Sequence, residues 1–181
     1  MTTTVMNKTL FLSLFGLAYL FVFSLRAEEW RSEELNCAVT LPSGPEWTQP
    51  AAPNPAVKAI SQTNDKSQSV TLMVVPLPNG NFKLDDKFIQ SFESTYSPPG
   101  KSKKVSGAQL VIQGLPAYKT TGQLFVNGNV VHTAAILWIS GDKFYEVAAT
   151  KLEAAPLEDQ TIRTFMSSFH FLQAPDLRTG N

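Results

Sequence analysis

Between Val130 and Ser140 almost every residue offers an apolar side chain, whichever strand face it occupies. Read as a strand, one face presents Val130, His132, Ala134, Ile136 and Trp138. The other presents Val131, Thr133, Ala135, Leu137 and Ile139. Over its second half both faces are apolar. A strand of that kind is central in its sheet and covered on both sides. The rest of the chain must therefore supply partner strands at both edges and a cover for each face.

The partner strands are legible from their turns. Asn127-Gly128 is the strongest short hairpin signal and joins Ala117–Val126 to Val130–Ser140. Gly141-Asp142 then turns the chain into Lys143–Lys151, and Gly114-Leu115-Pro116 separates Ala117–Val126 from a strand over Ala108–Gln113. Upstream, Val57–Ser61 and Ser69–Leu77 flank the polar turn Thr63-Asn64-Asp65-Lys66. A first strand over Asn36–Leu41 is stopped by Pro42. Five prolines between Pro42 and Pro55 predict an irregular loop there, with Trp47 folded back onto the core.

Two segments have helical spacing. Asp85 is placed to cap a helix whose Phe88, Ile89, Phe92 and Tyr96 form one apolar stripe. A second helix is predicted over 156–169, opening at Pro156, with Ile162, Phe165, Met166 and Phe169 on its inner face. The polar stretch KSKKVSG between the first helix and Ala108 reads as a loop. The expected fold class is α+β: an antiparallel sheet with a helix on each face, an α/β/α sandwich. Ile136, Trp138, Phe92 and Phe165 are expected in its core.

Thr9 to Leu25 is a run of 17 residues without a charge, preceded by Lys8 and followed by Arg26. A basic start followed by an apolar stretch is the grammar of an export signal. The run also reaches the lower limit for spanning about 30 Å of hydrocarbon. Residues 1–27 are thus read as a signal peptide or as an N-terminal membrane anchor. With Lys8 on one side and four glutamates between Glu28 and Glu34 on the other, the remainder is sent across the membrane, to the periplasm or the cell exterior. Residues 28–173 form the folded domain, and 174–181 are a polar tail. Cys37 lies too far from the apolar run, without small residues before it, to be a lipid anchor.

Composition narrows the chemistry. Lys and Arg number 15, as do Asp and Glu, and the part after residue 27 keeps 13 basic against 15 acidic residues. That balance argues against nucleic-acid binding. One cysteine excludes an internal disulfide, and two histidines without metal-ligand spacing give no zinc signature. Cys37 with His132 or His170 is the only nucleophile-and-imidazole combination to consider. Cys37 reads better as a buried apolar residue, His132 as a satisfied strand residue near a sheet edge, and His170 as a surface imidazole. Asp85 and Asp86 read as a helix cap and a favourable dipole charge rather than as a catalytic pair. No phosphate loop, dinucleotide fingerprint or calcium loop occurs. Lys101, Lys103 and Lys104 are the densest charge and the candidate contact for an acidic partner. Trp138 and Tyr145 are read as core aromatics.

The order of these elements resembles a known family. The strand leading into TLPSGPEW, the helix SFESTY, the meander from 108 to 151 and the closing FMSSFHFL are similar to the PsbP-like, Mog-type sandwich family. That family includes the extrinsic photosystem protein PsbP, Ran-binding Mog-type proteins and DcrB-like envelope proteins. The resemblance spans about residues 35–172 and implies a fold; it assigns no site residue. The reading is a non-enzymatic, exported binding module of the cell envelope, without catalytic residues, cofactor or metal. Its partner is another protein or a hydrophobic segment. A small-molecule binder and a hydrolase with an unrecognised site are the alternatives.

Overall fold

A computed structural model describes residues 28–78, 82–96 and 100–174 of the protein. The signal or anchor reading of 1–27, and the tail beyond Ala174, lie outside the described residues. No helix among the described residues is long and apolar enough to cross a membrane.

The described residues build ten strands: β1 (Glu28–Ser32), β2 (Cys37–Leu41), β3 (Trp47–Thr48), β4 (Val57–Thr63), β5 (Gln68–Pro76), β6 (Ser102–Ile112), β7 (Leu115–Val126), β8 (Asn129–Ser140), β9 (Lys143–Leu152) and β10 (His170–Phe171). Helix α1 (Asp86–Tyr96) lies between β5 and β6, and α2 (Gln160–Ser168) between β9 and β10. Seven strands form an antiparallel sheet in the order β3-β4-β5-β9-β8-β7-β6, and β1-β2-β10 form a smaller one. The meander β6–β9 is thus laid back against β5, with Val70 opposite Ala149 and Val74 opposite Tyr145. The chain crosses from β5 to the far edge of the sheet through α1.

β8 is an interior strand between β7 and β9, and its two side-chain sets go to different clusters. Ala134, Ile136 and Trp138 pack with Val147, with Val39 of β2, and with Ile162, Phe165 and Met166 of α2. Ala135, Leu137 and Ile139 pack with Phe144 and with Ile89 of α1, and Phe88 and Phe92 rest against them. Ile136, Trp138 and Phe165 are buried as expected, whereas Phe92 is half-buried. Asp85 caps α1, its carboxylate accepting from the Phe88 amide at 2.8 Å.

Four local readings need correction. KSKKVSG is not a loop: it is the first half of edge strand β6, paired with β7 from Ser102 opposite Leu124. An edge strand with neither face buried tolerates polar side chains at every position, so alternation disappears from its sequence. The break before β7 is tighter than Gly114-Leu115-Pro116. Gln113 (φ 53°) and Gly114 (φ 79°) form a two-residue turn, and Leu115 is already strand. Pro116 fits because β7 pairs with β8 only from Ala117 onward, so no ladder donor is missing. The C-terminal helix does not run 156–169. Pro156–Glu158 is a single 3-10 turn, and Asp159 (φ −84°, ψ 126°) interrupts it and caps α2, accepting from the Thr161 and Ile162 amides. Finally, the proline-rich loop contains a paired element, β3, in which Trp47 stands opposite Thr63 and packs on the core.

Candidate functional site

A hollow with polar groups in its lining lies between α2 and the β6–β8 side of the sheet. The inner stripe of α2 (Ile162, Phe165, Met166) is committed to the core. That commitment turns its neighbouring positions, Gln160, Arg163 and Ser167, over the ends of β6 and β7. A helix of nine residues is only about 14 Å long and leaves the outer strands uncovered. The result is a groove of about 690 Å³ whose apolar walls come from Ile112, Ile136, Leu157 and Met166. Its inner end is shut by Phe169, which stacks on Trp138 with ring centroids 4.7 Å apart. Gln113 holds that end in place, donating to the Phe169 carbonyl at 2.7 Å and accepting from the Phe171 amide at 3.0 Å.

Three polar features single the groove out. Trp138 is 1% exposed, and its indole Nε1 has no acceptor among the described residues. A buried donor left unpaired costs about 1–3 kcal/mol. Lys119 of β7 and Arg163 of α2 bring two cations to the lining, which contains no acidic side chain. The Arg163 guanidinium is held by neutral acceptors, the Leu157 and Glu158 carbonyls and Gln160 Oε1, so its charge is not neutralised there. The hydroxyls of Thr164 and Ser167 donate back to carbonyls of their own helix, at 2.9 and 3.1 Å. Such a lining can bind an apolar body bearing an acceptor or a negative charge. It contains no base to activate either hydroxyl.

The residues singled out from sequence are spread over the fold. Lys101 sits in the turn before β6, its carbonyl accepting from the Phe125 amide. Lys103 and Lys104 are consecutive strand residues, so they leave opposite faces of β6 rather than sharing one loop. Lys104 is engaged within the protein: its Nζ lies 2.5 Å from the Glu93 carboxylate and over the Tyr118 ring. Tyr118 also donates to Glu93. Burial works to raise the Glu93 carboxyl, but the hydrogen bonds from Lys104 and Tyr118 outweigh it and hold the group below its usual value. Cys37 is fully buried in β2, and burial pushes its thiol up to about 11, the opposite of an activated nucleophile. His132 faces Gln123 and Lys151 across interior strand β8. His170 faces Ala38 in the small sheet, with Nδ1 2.9 Å from the Ser168 carbonyl oxygen. Asp86 accepts from the Gln109 side chain. Tyr145 is buried, and its hydroxyl donates to the Leu35 carbonyl. Among the described residues, no three His, Cys, Asp or Glu side chains are grouped to hold a metal ion.

Lys119, Arg163 and Glu146 carried no weight in the sequence reading. The first two are ordinary surface cations until α2 is docked. Glu146 had a signal: it is an acid inside the last long strand, between Phe144 and Ala148 on one face. It is 8% exposed, its Oε2 is buried without a hydrogen-bond partner, and burial pushes its carboxyl up to about 7.

A scan of protein-family models finds none that matches this chain, and no curated protein matches it. Solved structures do. The cyanobacterial PsbP protein (CyanoP) of Synechocystis is 14% identical, with a TM-score of 0.61 over 83% of this chain and 95% of that one. A protein of Bacteroides thetaiotaomicron is 9% identical, with a TM-score of 0.56 over 81% of this chain, which spans about half (49%) of that one. LpqN of Mycobacterium tuberculosis, described as involved in cell envelope biogenesis, is 14% identical with a TM-score of 0.48, over 80% of this chain and 90% of that one. At such identities the likeness speaks of fold alone: the chain has a PsbP-like fold.

Proposed function

We propose that this chain is an exported, envelope-associated binding module without catalytic activity. In this reading the groove beside α2 seats an apolar segment of a partner protein that carries an acidic group. The observation that carries it is the combination of about 690 Å³ of apolar-walled space and two cations in a lining without an acidic side chain. An apolar segment removes the walls from water at about 25 cal/mol per Å². A carboxylate or carbonyl answers Lys119 and Arg163. The two clusters described above act, in this reading, as the covered faces of an α/β/α sandwich, with α1 on one and α2 on the other. The uncharged run from Thr9 to Leu25 behind Lys8 supports export, whether the run is cleaved or kept as an anchor.

The test uses the chain as recovered from the envelope fraction. It is titrated with an apolar peptide ending in a carboxylate and with the same peptide ending in an amide, and tryptophan fluorescence is the readout. Saturable binding of the carboxylate form is expected, weakened about tenfold or more in a Lys119→Glu, Arg163→Glu double variant. Equal binding by that variant would overturn the assignment of the groove. Recovery of the chain only from the cytosol would overturn export. A free fatty acid meets the same walls and cations; binding of fatty acid with none of peptide would make the protein a small-molecule carrier.

A further inference from the structure

A second cavity, of about 180 Å³, lies at the C-terminal half of α1, against the sheet surface formed by β7, β8 and β9. Register explains why it exists. Three cross-strand rows run beneath it: Tyr118, Leu137 and Glu146; then Thr120, Ala135 and Ala148; then Gly122, Thr133 and Thr150. The middle row holds two alanines and the last a glycine, so the sheet surface is hollow there. Phe92 and Glu93 of α1 close the hollow from above.

Glu146 lines this hollow without a counter-ion. It is more than nine-tenths buried, and its strand neighbours are Leu137 on β8 and Met73 on β5, neither polar. The charges at the rim, Glu93 and Lys104, are spent on each other and on Tyr118. A buried carboxyl with no donor is costly, and its usual remedies are a paired cation or a retained proton. The cavity supplies room for the cation. Its walls are apolar at Phe92, Ala135 and Ala148, and Thr133 and Thr150 line its far end, two rows from Glu146.

We propose that this cavity binds a small primary ammonium compound, with its nitrogen on Glu146 and its apolar body against Phe92, Ala135 and Ala148. An ammonium carries three N–H donors, and the Glu146 carboxylate offers it a charged acceptor. The volume sets the size: a cavity of about 150 Å³ holds benzene, so the ligand is an aromatic ring or short alkyl chain with one amine arm. A metal ion would need more ligands than one carboxylate and neutral hydroxyls offer. The site lies at α1, apart from the Trp138 groove at α2, and does not depend on the function proposed for that groove.

The probe is benzylammonium, with benzyl alcohol as its neutral isostere, each titrated into the full chain by calorimetry at neutral pH. Saturable binding of benzylammonium in the millimolar range or tighter is expected, with benzyl alcohol at least about tenfold weaker. Glu146→Gln keeps the shape and removes the charge, and should weaken the amine by about thirtyfold or more while leaving the alcohol unchanged. Ala148→Leu fills the cavity while keeping Glu146, and should abolish binding of both. Absence of saturable amine binding, equal binding by Glu146→Gln, or an alcohol that binds as well as the amine would each overturn the proposal.

Discussion

A Cβ at Gly107 would stand 1.9 Å from the Tyr118 hydroxyl oxygen and 2.8 Å from Cε of Lys104. Only the absence of a side chain lets Tyr118 cross beneath β6 and reach Glu93 on α1. Gly107→Ala must therefore push Tyr118 aside and loosen the joint between α1 and the sheet edge. A loss of about 1–3 kcal/mol is expected in urea unfolding; an unchanged midpoint would contradict the close approach. Glu146 makes a prediction of the opposite sign. Its carboxyl titrates near 7 in the folded protein against an ordinary value of 4.5. Between those values the folded state keeps the proton while the unfolded chain has released it, so stability falls as pH rises across that interval and levels off above it. Glu146→Gln removes the titration. In the absence of ligand it should be more stable than the parent at about pH 8, by a margin on the order of 3 kcal/mol. The two proteins should converge at about pH 4. Parallel pH profiles of the two thermal midpoints would refute the burial argument.

At the scale of elements, α2 shows how one residue sets a boundary that pattern alone misplaces. Pro156 reads as a first-turn residue of the helix that carries Ile162, Phe165, Met166 and Phe169, yet Asp159 is extended and its carboxylate takes the Thr161 amide at 2.9 Å and the Ile162 amide at 3.3 Å. Its other oxygen accepts from Lys151 at 2.8 Å, tying the helix start to β9. Asp159→Ala should cost about 1–2 kcal/mol, and Asp159→Asn, which keeps the cap but not the ion pair, clearly less. Equal losses in denaturant titrations would assign the effect to the ion pair rather than the cap. β6 errs in the other direction. Its lysines and serines read as loop because nothing covers the strand, while its irregularity between Lys104 and Ser106, at Val105, interrupts the flat exposed edge. β1 was also hidden: of EEWRS only Trp30 packs against the core, and the strand exists because β2 needs a partner.

At the scale of the whole molecule, Phe165 joins the two sheets. It is 1% exposed and shares a cluster with Val39 of the small sheet and with Val70 and Val147 of the large one. Phe165→Ala should cost about 3–5 kcal/mol. Because the residue is common to both sheets, circular dichroism and tryptophan fluorescence should report one shared, lowered transition. Two separated transitions would show that the sheets unfold independently.

What the amino-acid order determined by itself was local: the turn at Asn127-Gly128, the cap at Asp85, the inner stripes of both helices, and the two apolar faces of β8 that demanded partners and covers. These depend on residues within a few positions of one another, where periodicity and turn chemistry act directly. Tertiary structure alone decided that β5 pairs with β9, some seventy-five residues away, and that β10 closes a second sheet on β2. Pairing at that separation depends on how complementary surfaces meet after the helices dock, and no short window of sequence contains both surfaces. Both candidate binding sites belong to this second class. The Trp138 groove exists because a nine-residue helix stops short of β6, and the Glu146 cavity because alanines on neighbouring strands fall into one row under α1.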